Sequence, residues 1–202
     1  MKQTIFALTL VCSVALAQQP AQPPAPAPAP APAPAQKPLI GSIAARPNWP
    51  KAKPEDVHSV EAIIGALYQV ISGPKGQARD WNRMRSLFTP DAALIPTRVD
   101  GKTGTADTVV LSIEEYIQRS GPTMSANGFY ERTIHNELQQ FGVIAHVWST
   151  YESRHDPSDP QPFARGINSI QLLKSGDRYY ITDVYWDSER PGNPIPAQFL
   201  TK

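Results

Sequence analysis

A histidine on a predicted strand is the side chain best placed for proton transfer. His135 lies in the middle of a predicted strand over residues 129–140, and Glu137 follows it two positions later. Residues two apart on a strand share a face, so this carboxylate can orient the imidazole. Histidine titrates near neutrality and can accept and return a proton. The pair predicts an acid–base role for His135; the alternative is a hydrogen-bonded histidine on a partly solvated strand.

Asp183 is the second candidate for acid–base chemistry. Alternation along the last predicted strand places it on one face with Ile181 and other apolar side chains, where burial would raise the pKa of a carboxyl group and favour a general base. Tyr151 or Tyr185 would then donate a hydrogen bond to an oxyanion that develops on the substrate. The structural alternative is an ion pair of Asp183 with Arg165 or Arg178.

Aromatic and polar side chains on other elements could hold a ligand. Trp81 and Arg85 lie four apart on a predicted helix, so their side chains are neighbours. Trp81 would form a pocket wall or belong to the core, and Arg85 or Arg83 would bind an anionic group. Arg165 and Asn168 are polar on an otherwise apolar strand, and could orient a ligand or bond across a dimer interface. The predicted ligand-binding residues are Trp81, Arg85, Tyr151, Arg165, Asn168 and Tyr185.

The composition argues against several classes of function. With 19 basic and 18 acidic residues the formal net charge is +1, which offers no electrostatic surface for nucleic acid. The four histidines show no metal-ligand spacing beyond His135-x-Glu137, so we predict no metal. The sequence has neither a glycine-rich phosphate loop nor a Gly-x-Ser-x-Gly motif. We therefore expect no cofactor, and a small molecule as the partner.

The first residues are typical of a secretory signal peptide. Lys2 precedes an apolar run of about 12 residues, which is too short to span a bilayer. An Ala-x-Ala site predicts cleavage after Ala17, so residues 1–17 would be removed and no membrane span would remain. Because Cys12 lies inside this segment, the mature chain would contain no cysteine and no disulfide. We predict a periplasmic or secreted protein.

Residues 18–53 are rich in proline and alanine and predict a disordered tether. The alternating Pro-Ala stretch can form neither helix nor sheet, because alternate residues lack an amide proton. It favours extended polyproline II, which acts as a semi-rigid spacer. Such a spacer either holds the domain off a surface or partner, or is a passive linker.

Residues 54–202 predict one α+β domain in which helices cover one face of a curved antiparallel sheet. Both faces of the last strand carry large apolar groups, so we expect a second subunit to cover the other face, giving a homodimer. The predicted helices span 57–71, 81–88 and 112–119. A Ser112–Glu115 capping box opens the last helix, and Gly121-Pro122 closes it. The main strands are predicted over 129–140, 143–154, 164–174 and 178–187.

Four segments carry a family resemblance: Asp80–Phe88, Thr89–Ala92, Phe163–Leu173 and Arg178–Trp186. They resemble the nuclear-transport-factor-2-like superfamily, in particular the secreted bacterial members of its SnoaL-like branch, over residues 57–187. The resemblance implies a cone-shaped sheet under about three helices, with a pocket between them. Because the same cone hosts isomerases, dehydratases, cyclases, hydrolases and binding modules, it names no reaction. We interpret the chain as an exported domain that binds a small, mostly apolar molecule; the alternatives are a cofactor-independent acid–base enzyme and a protein-interaction module.

Overall fold

The computed structural model describes residues 37–200. The predicted signal peptide and residues 18–36 of the predicted tether lie outside this range. Residues 37–53, which the sequence also assigns to the tether, include a short 3-10 turn at Ile43–Ala45. Beyond it, the indole Nε1 of Trp49 donates hydrogen bonds of 3.0 Å to the carbonyl oxygens of both Arg85 and Phe88. Trp49 therefore attaches this segment to the folded domain.

Helices form where an apolar stripe follows a capping residue. In helix α2 (Val60–Ile71), buried Ile63, Ile64 and Leu67 lie on one face, and the Ser59 hydroxyl accepts a hydrogen bond from the amide of Ala62. The predicted capping box is confirmed, because Ser112 and Glu115 bond each other's backbone amides. The helices are α1 (Pro54–Val57), α2 (Val60–Ile71), α3 (Trp81–Leu87) and α4 (Ile113–Asn127).

The prediction that α4 ends at Gly121-Pro122 is wrong. The helix continues through Pro122 to Asn127, because tertiary packing outweighs the local cost of proline. Gly121 lies against Trp81, and a Cβ at this glycine would come within 3.0 Å of the indole ring. The close contact holds α4 on α3, and buried Met124 in the next turn packs into the core.

The sheet is mixed rather than wholly antiparallel, which corrects one part of the predicted fold, while the α+β class is confirmed. The strands are β1 (Phe88–Val99), β2 (Ala106–Thr108), β3 (Leu111–Ser112), β4 (Tyr130–Phe141), β5 (Ile144–Arg154), β6 (Ala164–Ser175) and β7 (Arg178–Ser188). Within the described range the strand order is β2-β1-β7-β6-β5-β4, and β3 pairs with β1. After β1 the chain crosses to the far edge of the sheet through α4, and the final strand β7 returns beside β1 in the same direction.

Two irregularities decide which side chains face the helices. In β4 the register shifts between Thr133 and His135. As a result, Glu131 and Thr133 face the helices, whereas His135 and Glu137, which simple alternation would put on the same face, point away from them. A second shift leaves Thr182 of β7 without a partner. Asp183 therefore faces away from the helices, whereas buried Ile181 faces them. The alternation expected for β7, with these two residues on one face, is wrong for this reason.

The face of the sheet away from the helices, called here the outer face, is partly covered by the C-terminal segment. The hydroxyl of Thr150 donates a 2.6 Å hydrogen bond to the carbonyl of Phe199. The Phe199 ring lies 5.9 Å from that of Trp148. Part of the cover that we predicted from a second subunit thus comes from the chain itself. No helix within residues 37–200 has the length and hydropathy needed to span a membrane.

Candidate functional site

A cavity of about 230 Å³ lies between the helices and the inner face of the sheet. By comparison with an apolar cavity of ~150 Å³ that admits benzene, it accommodates a molecule of roughly ten non-hydrogen atoms. Its aromatic wall consists of Tyr116, Phe129, Tyr151, Phe163 and Trp186; aliphatic side chains and methionines add Leu67, Ile71, Met84, Leu94, Met124 and Val184; and the polar side chains are Ser120, Glu131, Ser153 and Asn168.

Glu131 provides the only charged group in the wall of this cavity, as far as the described residues show. Its carboxylate is deeply buried, while the residue as a whole keeps partial exposure. Oε2 accepts a 2.7 Å hydrogen bond from Ser153 Oγ, and Oε1 accepts a 3.5 Å bond from Asn168 Nδ2. Burial raises the pKa of Glu131 to about 7, although the two hydrogen bonds oppose the shift. Near neutral pH the group can therefore either donate or accept a proton.

A buried network of hydrogen bonds fixes the position of Asn168. The amide Nδ2 of Asn168 also donates to Tyr68 Oη at 3.1 Å. The Tyr68 hydroxyl lies 2.7 Å from Ser149 Oγ, which in turn donates to Thr133 Oγ1 at 3.2 Å. Because three strands and α2 contribute to this network, the donor to Glu131 is held in place.

Two tyrosines bring hydroxyl groups to the cavity. Tyr116 of α4 packs edge-on against Trp186, with ring centroids 6.3 Å apart. The Tyr151 hydroxyl lies 3.2 Å from Ser188 Oγ. Burial raises the pKa of Tyr151 to about 12, and burial and the Glu131 charge raise the pKa of Tyr116 still further. Both phenols therefore stay protonated at neutral pH and can donate hydrogen bonds to a ligand.

Phe163 lines the cavity and is also exposed to solvent. The residue is 50% exposed and follows the proline-rich loop between β5 and β6. Its ring stacks on His155 at 4.2 Å between centroids and lies 6.0 Å from Phe129. Three rings, those of Phe129, His155 and Phe163, therefore pack together at this part of the cavity wall.

Two of the predicted ligand-binding residues, Tyr151 and Asn168, are brought together in the cavity wall. The two predicted catalytic residues are not. His135 lies on the outer face, with Nε2 3.6 Å from Glu137 Oε1. Asp183 lies on the same face three strands further across the sheet, where burial raises its pKa. They neither share a cavity nor contact each other.

The remaining four predicted residues lie outside the cavity wall. Trp81 packs against Gly121, as described above. Arg85 donates two hydrogen bonds to the Glu114 carboxylate, at 2.6 and 2.7 Å. Arg165 is paired with Glu189 at 2.8 Å. Tyr185 is 46% exposed on the outer face.

Sequence reasoning missed Glu131, Tyr116, Ser153 and Trp186. Simple alternation along β4 would put Glu131 on the same face as His135, and only the register shift after Thr133 separates them. The same shift pairs Glu131 with Ser153, whereas the register at the Phe141–Ile144 end of the hairpin would pair it with Arg154, so this partner could not be read from the sequence either. Within residues 37–200 no three histidine, cysteine, aspartate or glutamate side chains are grouped so as to hold a metal ion.

Comparison with known proteins gives a likeness of fold alone. No protein-family model matches the sequence, and no curated protein matches it. A nuclear-transport-factor-2-like protein of unknown function from Silicibacter pomeroyi is 13% identical, with a TM-score of 0.45 over 64% of this chain and 92% of its own. A protein from Shewanella frigidimarina, described as a proposed ketosteroid isomerase, is 15% identical, with a TM-score of 0.43 over 68% and 99%. A protein of unknown function from Mycobacterium tuberculosis is 14% identical, with a TM-score of 0.49 over 68% and 79%.

Proposed function

We propose that the domain binds a small, mostly apolar molecule in the inner cavity, and that one hydrogen-bonding group of this molecule meets Glu131. The observation that carries the proposal is a single carboxyl group in the wall of a cavity whose other lining is mostly aromatic and aliphatic. Ligand sites combine such apolar walls with a few fixed polar groups that orient the guest. Ser153 and Asn168 fix the carboxyl group here.

Filling the cavity tests this proposal. Ser120 lines the cavity from α4, so Ser120→Phe should place a ring in the space that the ligand occupies. Gln118 lies two residues away on the same helix and is exposed, so Gln118→Phe is the matched control. We expect small aromatic compounds to raise the melting temperature of the wild type and the control but not of Ser120→Phe. Equal stabilisation of all three proteins would overturn the proposal.

A second function, cofactor-independent acid–base catalysis, is favoured by the same carboxyl group. Its pKa of about 7 suits proton transfer at neutral pH, and the protonated hydroxyl groups of Tyr116 and Tyr151 could stabilise an oxyanion. Glu131 would remove a proton from a carbon next to a carbonyl group, and the negative charge would move to the carbonyl oxygen. Exchange of that proton for deuterium in small aryl ketones, followed by NMR in D₂O, measures this step. It should disappear in Glu131→Gln, and exchange unaffected by this substitution would exclude the role.

We further propose that the protein is exported to the periplasm or secreted. The support is the charged start, the short apolar run and the Ala-x-Ala site of the sequence. The N-terminus of the protein purified from its native host should then be Gln18. A mature protein that still begins at Met1 would contradict export by this signal.

A further inference from the structure

The cavity presents an acidic group without a cation to neutralise it. Of the described residues that line the cavity, none is lysine, arginine or histidine. The Glu131 carboxylate receives hydrogen bonds only from the neutral groups of Ser153 and Asn168, and the second of these is long, at 3.5 Å. An ionised carboxylate in such a place is costly unless an opposite charge joins it.

Aromatic rings surround the same space. Five of the lining side chains are aromatic, and Tyr116, Tyr151 and Trp186 among them are the electron-rich types. The faces of such rings attract cations, and cages of several rings are a common way to bind quaternary ammonium groups. Neutral apolar ligands need the rings but not the acid, and anionic ligands would be repelled by it. A carboxylate combined with several aromatic rings fits an organic cation.

We infer that the cavity binds a small organic cation, a protonated or methylated amine attached to an apolar body, whose charge is neutralised by Glu131. This inference rests on the proposed function of the same cavity and adds the class of ligand. In the complex the ammonium group lies beside the carboxylate, and the aromatic walls enclose the rest of the molecule.

None of the other ionisable groups that the structure places near Glu131 supplies a positive charge inside the cavity. Tyr68 of α2, Tyr116 of α4 and Tyr151 of β5 are the titratable neighbours on the packed elements, and burial keeps all three phenols protonated at neutral pH. A groove on the edge of the sheet shares Glu131 and Tyr68 with three charged residues. These are Arg132, Glu152 and Arg154, and both arginines are paired with Glu152. Neither arginine is part of the cavity wall.

A fixed-charge probe and its neutral isostere provide the test. Phenyltrimethylammonium and tert-butylbenzene each have ten non-hydrogen atoms and the same shape, and they differ in one charge. Binding of both is measured by NMR titration at pH 5.5 and 8.5, with the wild type, Glu131→Gln and Glu137→Gln. Glu137 is an exposed carboxylate on the outer face of the same strand, so its variant is the matched control.

We expect the wild type and Glu137→Gln to bind the cation at least tenfold more tightly than the isostere at pH 8.5. Affinity for the cation should fall by up to roughly 30-fold at pH 5.5, because Glu131, with its pKa of about 7, becomes protonated. Glu131→Gln should lose both the preference and the pH dependence while it still binds tert-butylbenzene, which shows that it is folded.

The outcomes separate this inference from the proposed function. If the wild type binds the isostere as tightly as the cation, the ligand class is wrong and the cavity still binds apolar molecules. If cation binding survives unchanged in Glu131→Gln, the cation lies elsewhere and the inference is overturned. If no protein binds either probe, the proposed function fails together with the inference.

Discussion

Two glutamates on neighbouring rungs of the β4–β5 ladder, Glu131 and Glu152, lie on opposite faces of the sheet, and their pKa values shift in opposite directions. Glu131 faces the helices opposite Ser153, and Glu152 faces the outer side opposite Arg132. Glu152 is 8% exposed, yet hydrogen bonds from Arg132 at 2.8 Å and Arg154 at 3.2 Å outweigh burial and lower its pKa. Glu131 has only neutral donors, so burial raises its pKa to about 7. The presence of cations, rather than burial alone, separates a structural carboxylate from one available to a ligand.

The largest effect that this comparison predicts is a dependence of stability on pH that comes from Glu131. Its pKa rises from 4.5 in the unfolded chain to about 7 in the folded one. The folded state therefore holds the proton more tightly, and the stability present below pH 4.5 is lost as pH rises through 7. The expected loss between pH 4 and 8 is about 3 kcal/mol. Urea denaturation of the wild type and Glu131→Gln at both pH values measures it as a difference between the two proteins.

The control for this measurement is Glu137→Gln, which changes an exposed carboxylate on the same strand. Its pH dependence should match that of the wild type. If Glu131→Gln also keeps the wild-type dependence, the raised pKa of Glu131 is wrong, and with it the contrast between the two glutamates.

Removing the other carboxylate should have a different outcome. Glu152→Gln leaves Arg154, whose side chain is 19% exposed, without its anion, whereas Arg132 is 70% exposed and loses little. We expect the free energy of unfolding to fall by about 2 kcal/mol at pH 7. Urea denaturation measures this loss, and a double-mutant cycle with Arg154→Met assigns it to the pair. A loss shared by Glu131→Gln at pH 8 would mean that both carboxylates are structural.

The comparison also shows what the sequence could predict. The α+β class, the four long strands and the Ser112–Glu115 capping box follow from local patterns of polarity and capping. Asn168 was predicted as a ligand-binding residue because a polar group stands out on an otherwise apolar strand, and Tyr151 was predicted as a hydrogen-bond donor; the structure places both in the cavity wall. Local patterns carry this information because each depends on residues close in sequence.

What could not be predicted depends on single-residue shifts and on distant contacts. The irregularity after Thr133 moves His135 to the outer face and leaves Glu131 inside, and the unpaired Thr182 does the same to Asp183. No alternation of polar and apolar residues reveals such a shift. The continuation of α4 through Pro122 depends on packing of Gly121 against Trp81, which is 40 positions earlier in the sequence.

The smallest effect on stability is expected on the outer face, and it sharpens the comparison of the two faces. The inner face is closed by the chain's own helices, and the C-terminal segment covers only part of the outer face. Tyr185, 46% exposed there, belongs to the apolar surface from which we predict a homodimer. Tyr185→Lys should change the free energy of unfolding of the subunit by no more than ~0.5 kcal/mol, because the side chain is exposed in the single chain.

The same substitution should convert a dimer into a monomer, since a lysine would be buried without a partner in the interface. Analytical ultracentrifugation measures the mass of the wild type and Tyr185→Lys. The control is Phe141→Lys, because the Phe141 side chain at the β4–β5 turn is 83% exposed. A wild type that sediments as a monomer at tens of micromolar would refute the dimer, and the apolar groups of the outer face would then be covered by the C-terminal segment alone.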